Sequence, residues 1–389
     1  MKLLRRRCSA PPGTAALFFI PIFSTLAFAS DSGLQSFLEQ TLTTVRENEH
    51  LPAVAALVQI DGKIAAEAAT GVRALGRREA VTVNDRWHIG SDTKAFTATM
   101  IARLVESGMM KFEDTLAASF PAFADKLDPA YRDVTVLQLL SHTAGLPSLT
   151  DDKSKEAAEF DAIVKSVIGV RAQREAVARK YLAMPPASKV GEYKYSNIGF
   201  IIAGAIAEAK TGKTWEELIR EQIFQPLGIT NAGFGAPGTP GKFDQPCGHK
   251  EVNGKLVPLD PADPEADNKP ALGPAGTINI TLRDWMRFAQ DQLDGVHGHG
   301  KLLKAETYRK LHTPVKDNYA LGWGAKLDDA GVPLVITHNG SNGNWVAEIR
   351  IMPKHDIIIL LATNAGTDGA NQAMKEIGQP LRDRLKPFD

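Results

Sequence analysis

Hydrophobic and polar positions along the chain change period twice. "LPAVAALVQIDGKIAAEAATG", Leu51 to Gly71, is two β-like apolar runs on either side of Asp61-Gly62, a dipeptide that favours a tight hairpin turn. From Ser91 the apolar spacing becomes helical. Ala98, Ile101 and Val105 fall in line with Ser91 and Lys94, and Gly108 provides a stop. "TVLQLLSHTAGLP" opens with Thr135 as an N-cap and Gln138 three residues later, a capping box, and reads as a helix running on to Gly145 and Pro147. Asp151 to Met184 is polar and helical. Ile198 to Gly228 reads as two helices separated at Gly212. Ala236 to Lys269, rich in Pro, Gly and Asp, reads as a long irregular region. "TLRDWMRFAQDQL" is a further helix with Thr281 as its N-cap. The β period then returns in "PLVITHNG", "NWVAEIRIMP" and "HDIIILLATNAG", with a turn at Pro353 to His355, before Asn371 to Lys386 closes as a helix.

Strands at both ends with helices between them predict an α+β fold. The economical arrangement is one antiparallel sheet built from both chain ends and flanked by the terminal helices, with a mostly helical unit inserted. The expected boundaries are 30–110 with 270–389 for the sheet unit, and 111–269 for the insert. A length of 389 residues suits more than one structural unit.

The first residues belong to neither unit. Met1 to Arg7 is basic, Ala15 to Ala29 is apolar, and Ala27-x-Ala29 offers a cleavage pattern before Ser30. This three-part layout predicts a signal peptide over residues 1–29 and a mature protein in the periplasm or outside the cell. The apolar stretch is short for a spanning helix and contains Pro21, and no later segment reads as a membrane span. Arg5-Arg6-Arg7 leaves general and twin-arginine export both open.

Composition adds two constraints. Removing Lys2, Arg5, Arg6 and Arg7 with the leader leaves 41 basic against 45 acidic residues, a net −4, which gives no basic footprint for nucleic acid. Of the two cysteines, Cys8 lies in the leader and Cys247 stands alone, so the mature chain has no internal disulfide and folds on its hydrophobic core.

Candidate chemistry begins with a misplaced charge. Lys94 sits at the head of an apolar helical stripe, one turn after Ser91. Burying an ammonium is costly unless it is paired or gives up its proton. A desolvated lysine can take a serine proton, and a helix N-terminus favours an oxyanion, so S-x-x-K here can make an activated nucleophile. The same four residues also suit an N-cap serine followed by an exposed lysine. In "GEYKYSNIGF", Tyr195 could shuttle a proton and Asn197 could hold a substrate amide, or the pair could be a core tyrosine and a helix cap. In "THNGSNGNW", Gly340 permits close backbone approach, so a substrate could lie along a strand ending at His338-Asn339-Gly340, or the strand could simply turn there.

Other motifs point away from chemistry. Lys210-Thr211-Gly212 spells K-T-G, yet follows an apolar helical run in which Gly212 fits a helix C-terminus. "TGKT" is no phosphate loop, because Ala207 stands where that motif needs glycine. "HGHG", His297 to Gly300, is a solvated Gly-rich turn more readily than a metal site. Cys247 beside His249 has no third partner in the sequence.

Taken together, S-x-x-K, Y-S-N and H-N-G, in this order and with this separation, resemble the serine β-lactamase-like family. That family includes class C β-lactamases, D-alanyl-D-alanine carboxypeptidases, D-aminopeptidases and related esterases. "SHTAGLP", "QPLGIT", "GPAGTINITLRDWMRF", "YALGWG" and "HNGSNGNW" extend the resemblance from about Leu34 to the C-terminus. The resemblance implies a β-lactamase/transpeptidase-like fold and an acyl-enzyme mechanism without metal or cofactor. Ser91 is then the nucleophile, Lys94 its base and Tyr195 part of the proton relay. Asn197 binds the substrate amide, and His338, Asn339, Gly340 and Ser341 frame the strand that pairs with a small-molecule or peptide substrate. The N–H groups of Ser91 and Ser341 make the oxyanion hole. One departure stands out. Class C β-lactamases carry K-T-G where this chain has H-N-G, and a neutral imidazole holds a substrate carboxylate less well than an ammonium. This shifts the expectation from an efficient β-lactamase toward D-alanyl or other D-amino acid peptides, with ester hydrolysis and a non-catalytic penicillin- or peptide-binding module as alternatives. The oligomeric state is not legible.

Overall fold

The computed structural model describes residues 32–151 and 153–385. The leader expected over residues 1–29 lies outside the described residues.

The elements follow one another in this order. Helix α1 (Ser32–Asn48) leads into strands β1 (Ala53–Ile60), β2 (Lys63–Gly71) and β3 (Arg86–His88). A single 3₁₀ turn, Gly90–Asp92, opens helix α2 (Thr93–Glu106). Helices α3 (Val136–Leu140), α4 (Lys155–Ser166), α5 (Val170–Leu182), α6 (Asn197–Thr211) and α7 (Trp215–Ile219) make the central part. Strands β4 (Ala232–Phe234), β5 (His249–Val252), β6 (Lys255–Pro258) and β7 (Ile278–Thr281) come next. They are followed by α8 (Leu282–Val296), α9 (Ala305–His312), β8 (Gly324–Leu327), β9 (Pro333–Ser341), β10 (Val346–Met352), β11 (Ile357–Thr363) and α10 (Asp368–Leu385).

Both chain ends build one antiparallel sheet of order β2-β1-β11-β10-β9-β8. The hairpin between β1 and β2 turns at Asp61 (φ 49°) and Gly62 (φ 72°), as the Asp-Gly dipeptide predicts. The central strands β1 and β11 are buried on both faces, so they read as continuous apolar runs rather than as alternations. Val54, Ala56, Val58, Ile359 and Leu361 pack against α1 and α10, where Leu38, Leu42, Ile377 and Leu381 are buried. Ala53, Ala55, Leu57, Ile358 and Leu360 face the other way, into a larger core shared with Phe96, Ile101, Leu139, Phe200, Ile206 and Trp285. That core runs without a break from the sheet through α2 into the central helices.

The capping signals hold: Thr135 and Gln138 form the capping box at α3, and Thr281 caps α8 by accepting from Asp284 N–H. Other expectations need correction. Helix α3 stops at Leu140 instead of reaching Gly145; His142, at φ 59°, breaks the helical path first. The region Ala236 to Lys269 is not irregular throughout, since Asn253-Gly254, both with positive φ, turn the β5–β6 hairpin. The second helix of the pair separated at Gly212 runs to Gly228 as expected, with one π turn, Arg220–Phe224, inside it. A second small sheet, β3-β7-β4, and the edge strand β8 carry too few residues for their period to show.

Candidate active site

Ser91 sits in the 3₁₀ turn between β3 and α2, and Lys94 is fully buried one turn on. The turn is held against β9 with no side chain between. A Cβ built on Gly90 (φ 49°) would lie 2.4 Å from Ser341 N, and one on Gly340 would lie 1.9 Å from Ile89 O. Only glycine fits at either position. This contact brings the N–H of Ser341 beside the turn that carries Ser91.

Lys94 Nζ meets three oxygens: Ser91 Oγ at 2.9 Å, Asn197 Oδ1 at 2.7 Å and the Ala275 carbonyl at 2.8 Å. Burial pushes its ammonium well below the usual lysine range, against the weaker opposing pull of Asp92. A neutral amine has two N–H donors and one lone pair. Carbonyl oxygens only accept, so two N–H groups go to Asn197 and Ala275, and the remaining position on Nζ, a proton in the ammonium and the lone pair in the amine, faces Ser91. The Tyr195 hydroxyl donates to Ser91 Oγ at 2.8 Å, and burial holds its own proton firmly by raising its pKa. Lys94 also lies over the rings of Tyr195 and Phe200, at 4.9 Å and 5.5 Å from their centroids.

The Y-S-N stretch places its residues through α6. Ser196 caps that helix by accepting from Gly199 N–H, which points Tyr195 back toward α2. Asn197, expected to bind a substrate amide, has both ends of its own amide engaged. Its Oδ1 accepts from Lys94, and its Nδ2 donates to the Leu149 carbonyl at 2.8 Å.

On β9, His338 and Gly340 point inward while Asn339 and Ser341 are exposed, as strand alternation requires. The His338 ring does not reach into open space. Its Nδ1 donates to the Asn339 carbonyl at 2.9 Å, and its Nε2 accepts from the Tyr319 hydroxyl at 3.0 Å. Burial pushes the imidazole down to about 3, so it stays neutral. The Asn339 side chain lies on the face opposite His338, so the structure does not bring it toward Ser91. Ser341 Oγ accepts from Gly343 N–H at 3.1 Å.

Three neighbours escaped sequence reasoning. His142 stacks on Tyr195 and Tyr319, with centroids 4.3 Å and 4.6 Å apart; burial first, then Lys94, pushes its pKa well below the usual histidine value. Tyr319 bridges His338 and this stack. Asp92 is fully buried 3.7 Å from His338 Nδ1, neither carboxyl oxygen has a hydrogen-bond partner, and desolvation raises its pKa strongly. The phrases "SHTAGLP" and "YALGWG" contain His142 and Tyr319, but neither carries a periodicity that marks these two residues as site neighbours. The set-aside motifs lie elsewhere. Lys210 is at the end of α6, capped by Gly212 at φ 76°, and pairs with Asp114 at 3.8 Å. His297 pairs with Asp356 at 2.7 Å, and His299 with Asp294 at 3.3 Å, in exposed positions. Cys247 is buried, its thiol pushed up to about 11 by burial, and is no nucleophile at neutral pH.

Comparison with known proteins adds context to this geometry. The Beta-lactamase family model matches residues 38–378. Penicillin-binding protein 4 of Amycolatopsis lactamdurans is 30% identical over 340 residues, covering 84% of each chain. Protein flp of Staphylococcus aureus (strain COL) is 24% identical over 85% of this chain, which spans only 64% of that protein. Among solved structures, the octameric penicillin-binding protein homologue from Pyrococcus abyssi superposes with a TM-score of 0.71 at 24% identity. That match covers 89% of this chain and 77% of the homologue; at that identity the likeness speaks for the fold alone.

Proposed function

The chain belongs to the beta-lactamase family, and from that premise we propose that it is an exported serine hydrolase that works through an acyl-enzyme at Ser91. The carrying observation is buried Lys94 Nζ lying 2.9 Å from Ser91 Oγ. Lys94 takes the Ser91 proton as Oγ bonds to the substrate carbonyl carbon. The oxyanion that forms is held by the N–H groups of Ser91 and Ser341. Lys94, now an ammonium, returns the proton with the help of the Tyr195 hydroxyl to the leaving amine or alcohol as the bond to carbon breaks. Water then attacks the ester on Ser91, losing its proton to Lys94, and as the acyl–Oγ bond breaks Lys94 hands that proton to Ser91 Oγ, so the acid leaves and the site is restored. Asn197 aims the Lys94 Nζ through its Oδ1, and the second N–H of its Nδ2 is left for a substrate carbonyl.

The first-choice substrates are D-alanyl, cell-wall-type peptides, with penicillins as slowly released acylating agents. The likeness to a penicillin-binding protein supports this choice. The second reading is an esterase on small acyl esters, favoured by the neutral His338, whose two nitrogens are already bonded and which offers no cation to a substrate carboxylate. Under either reading residues 1–29 act as a cleaved leader, and the chain is organised as a sheet unit (30–110 with 270–389) and a helical insert (111–269).

The test is a hydrolysis panel of diacetyl-Lys-D-Ala-D-Ala, p-nitrophenyl acetate and nitrocefin, with Ser91→Ala in parallel. Turnover of the peptide lost in the variant supports the peptidase. Turnover of the ester alone moves the assignment to an esterase. No difference between wild type and Ser91→Ala on any substrate refutes the acyl-enzyme reading.

A further inference from the structure

The segment Glu265–Asn268, at the end of the region that reads as irregular, reaches three stretches near Ser91: the turn after Ser341, the Gly276 backbone and His88. Asn344 Nδ2 donates to the Glu265 carbonyl at 2.7 Å, and Asn342 Nδ2 donates to Asp267 Oδ1 at 3.0 Å. Both asparagines lie in the turn that follows Ser341. Asn268 Nδ2 donates to the Gly276 carbonyl at 2.7 Å, next to the Ala275 carbonyl that orients Lys94. The same Asp267 Oδ1 lies 2.8 Å from Nε2 of His88, a histidine with no exposed surface, an ion-pair distance whose angle falls short of a hydrogen bond.

The other nitrogen of His88 fixes its role. Nδ1 accepts from Gly90 N–H at 3.1 Å, so Nδ1 carries no proton and the ring is the neutral tautomer with its proton on Nε2, facing Asp267. His88 is therefore not a base for Ser91; its accepting nitrogen is spent on a backbone amide. A continuous chain of polar contacts results, from Gly90 N–H through His88 and Asp267 to Asn342. Gly90 immediately precedes Ser91, and Asn342 immediately follows Ser341. The two ends of the chain thus flank the two residues whose N–H groups hold the oxyanion.

We infer that His88 and Asp267 form a positioning dyad that sets the separation of the Ser91 and Ser341 N–H groups. The inference rests on the acyl-enzyme reading above. Oxyanion donors act at fixed distance, and removing one costs about 10²–10³ in kcat; a displacement of about 1 Å costs about 10²-fold. Breaking the dyad slackens the hole without touching substrate, so the loss falls on kcat and leaves KM.

The experiment is steady-state hydrolysis of whichever substrate of the panel above wild type turns over fastest, by wild type, Ser91→Ala, Asn342→Ala, Asp267→Ala, the Asn342→Ala/Asp267→Ala double variant, His88→Asn and His88→Leu, each checked for folding by circular dichroism. Asn342→Ala and Asp267→Ala are expected to lose about 10- to 100-fold in kcat, with KM within about twofold. The double variant should be no worse than Asp267→Ala alone, because both cut one chain. His88→Asn, whose side-chain oxygen can replace Nδ1 as acceptor for Gly90, should recover part of what His88→Leu loses. Folded Asn342→Ala and Asp267→Ala with wild-type kcat overturn the inference. If the buried His88 variants do not fold, half-buried Asn342 decides by itself. Equal rates for wild type and Ser91→Ala would instead remove the acyl-enzyme reading on which the dyad depends.

Discussion

Lys94 and Lys210 each stand in a short motif with a catalytic meaning elsewhere, S-x-x-K and K-T-G, and each lies on an apolar helix. Lys94 is at the beginning of α2, fully buried, with three oxygens at 2.7–2.9 Å. Lys210 is in the last turn of α6, where a cation suits the helix dipole, and one-third of its side chain meets water beside Asp114. Water and Asp114 solvate the Lys210 ammonium. Desolvation makes the Lys94 proton movable. The difference shows that a motif acquires chemistry from what surrounds it rather than from its letters.

The comparison breaks most sharply at Lys94 itself. Lys94→Met is expected to lose about 10³-fold or more in kcat/KM on whichever panel substrate is turned over. It should also reveal the cost of the buried lysine. The folded-state pKa of Lys94 lies below its unfolded value, so the unfolded chain binds more protons at neutral pH and wild-type stability rises as pH climbs toward the usual lysine range. Lys94→Met removes that dependence. Its melting temperature relative to wild type should therefore be most favourable at pH 7 and decline toward pH 10, measured by thermal unfolding across that range. A constant difference would mean that Lys94 is charged in the folded protein.

A subtler change sharpens the same contrast. Asn197→Asp places a carboxylate 2.7 Å from Lys94 Nζ, which stabilises the ammonium and raises its pKa. The acid limb of the kcat/KM profile should move to higher pH, and activity at pH 7 should fall about 10-fold, with recovery as pH rises. An unmoved limb would show that Lys94 is not the group whose deprotonation controls acylation.

The smallest effect belongs to the exposed lysine. Lys210→Ala should leave kcat/KM within about twofold and change stability by less than about 0.5 kcal/mol, because a partly solvated ion pair contributes little. Loss of activity in folded Lys210→Ala would contradict the reading of K-T-G as a helix end.

What could be read in the sequence follows the range over which its cause acts. The β1–β2 hairpin, the capped ends of α3 and α8 and the Gly212 stop depend on neighbours within a few residues, and the local pattern marks them. Ser91, Lys94 and Tyr195 were singled out because their spacing is a signature, although their meeting spans more than a hundred residues, from Ser91 to Tyr195. His142, Tyr319, Asp92 and the Glu265–Asn268 strap left no such trace. Their roles arise only when α2, α6 and β9 converge, and a buried carboxyl such as Asp92 looks like any surface aspartate in the chain. Asn197 marks the boundary. The motif located it correctly, yet only the structure shows its amide turned to Lys94 and Leu149.

The most direct test of the movable proton at Lys94 is the intact mass of the protein after incubation with benzylpenicillin, for wild type, Ser91→Ala and Lys94→Met together. The account predicts that wild type gains the mass of one penicilloyl group, mapped by peptide digestion to Ser91, while both variants stay unmodified over the same time. An adduct on Lys94→Met at the wild-type rate, or on Ser91→Ala at all, would contradict it.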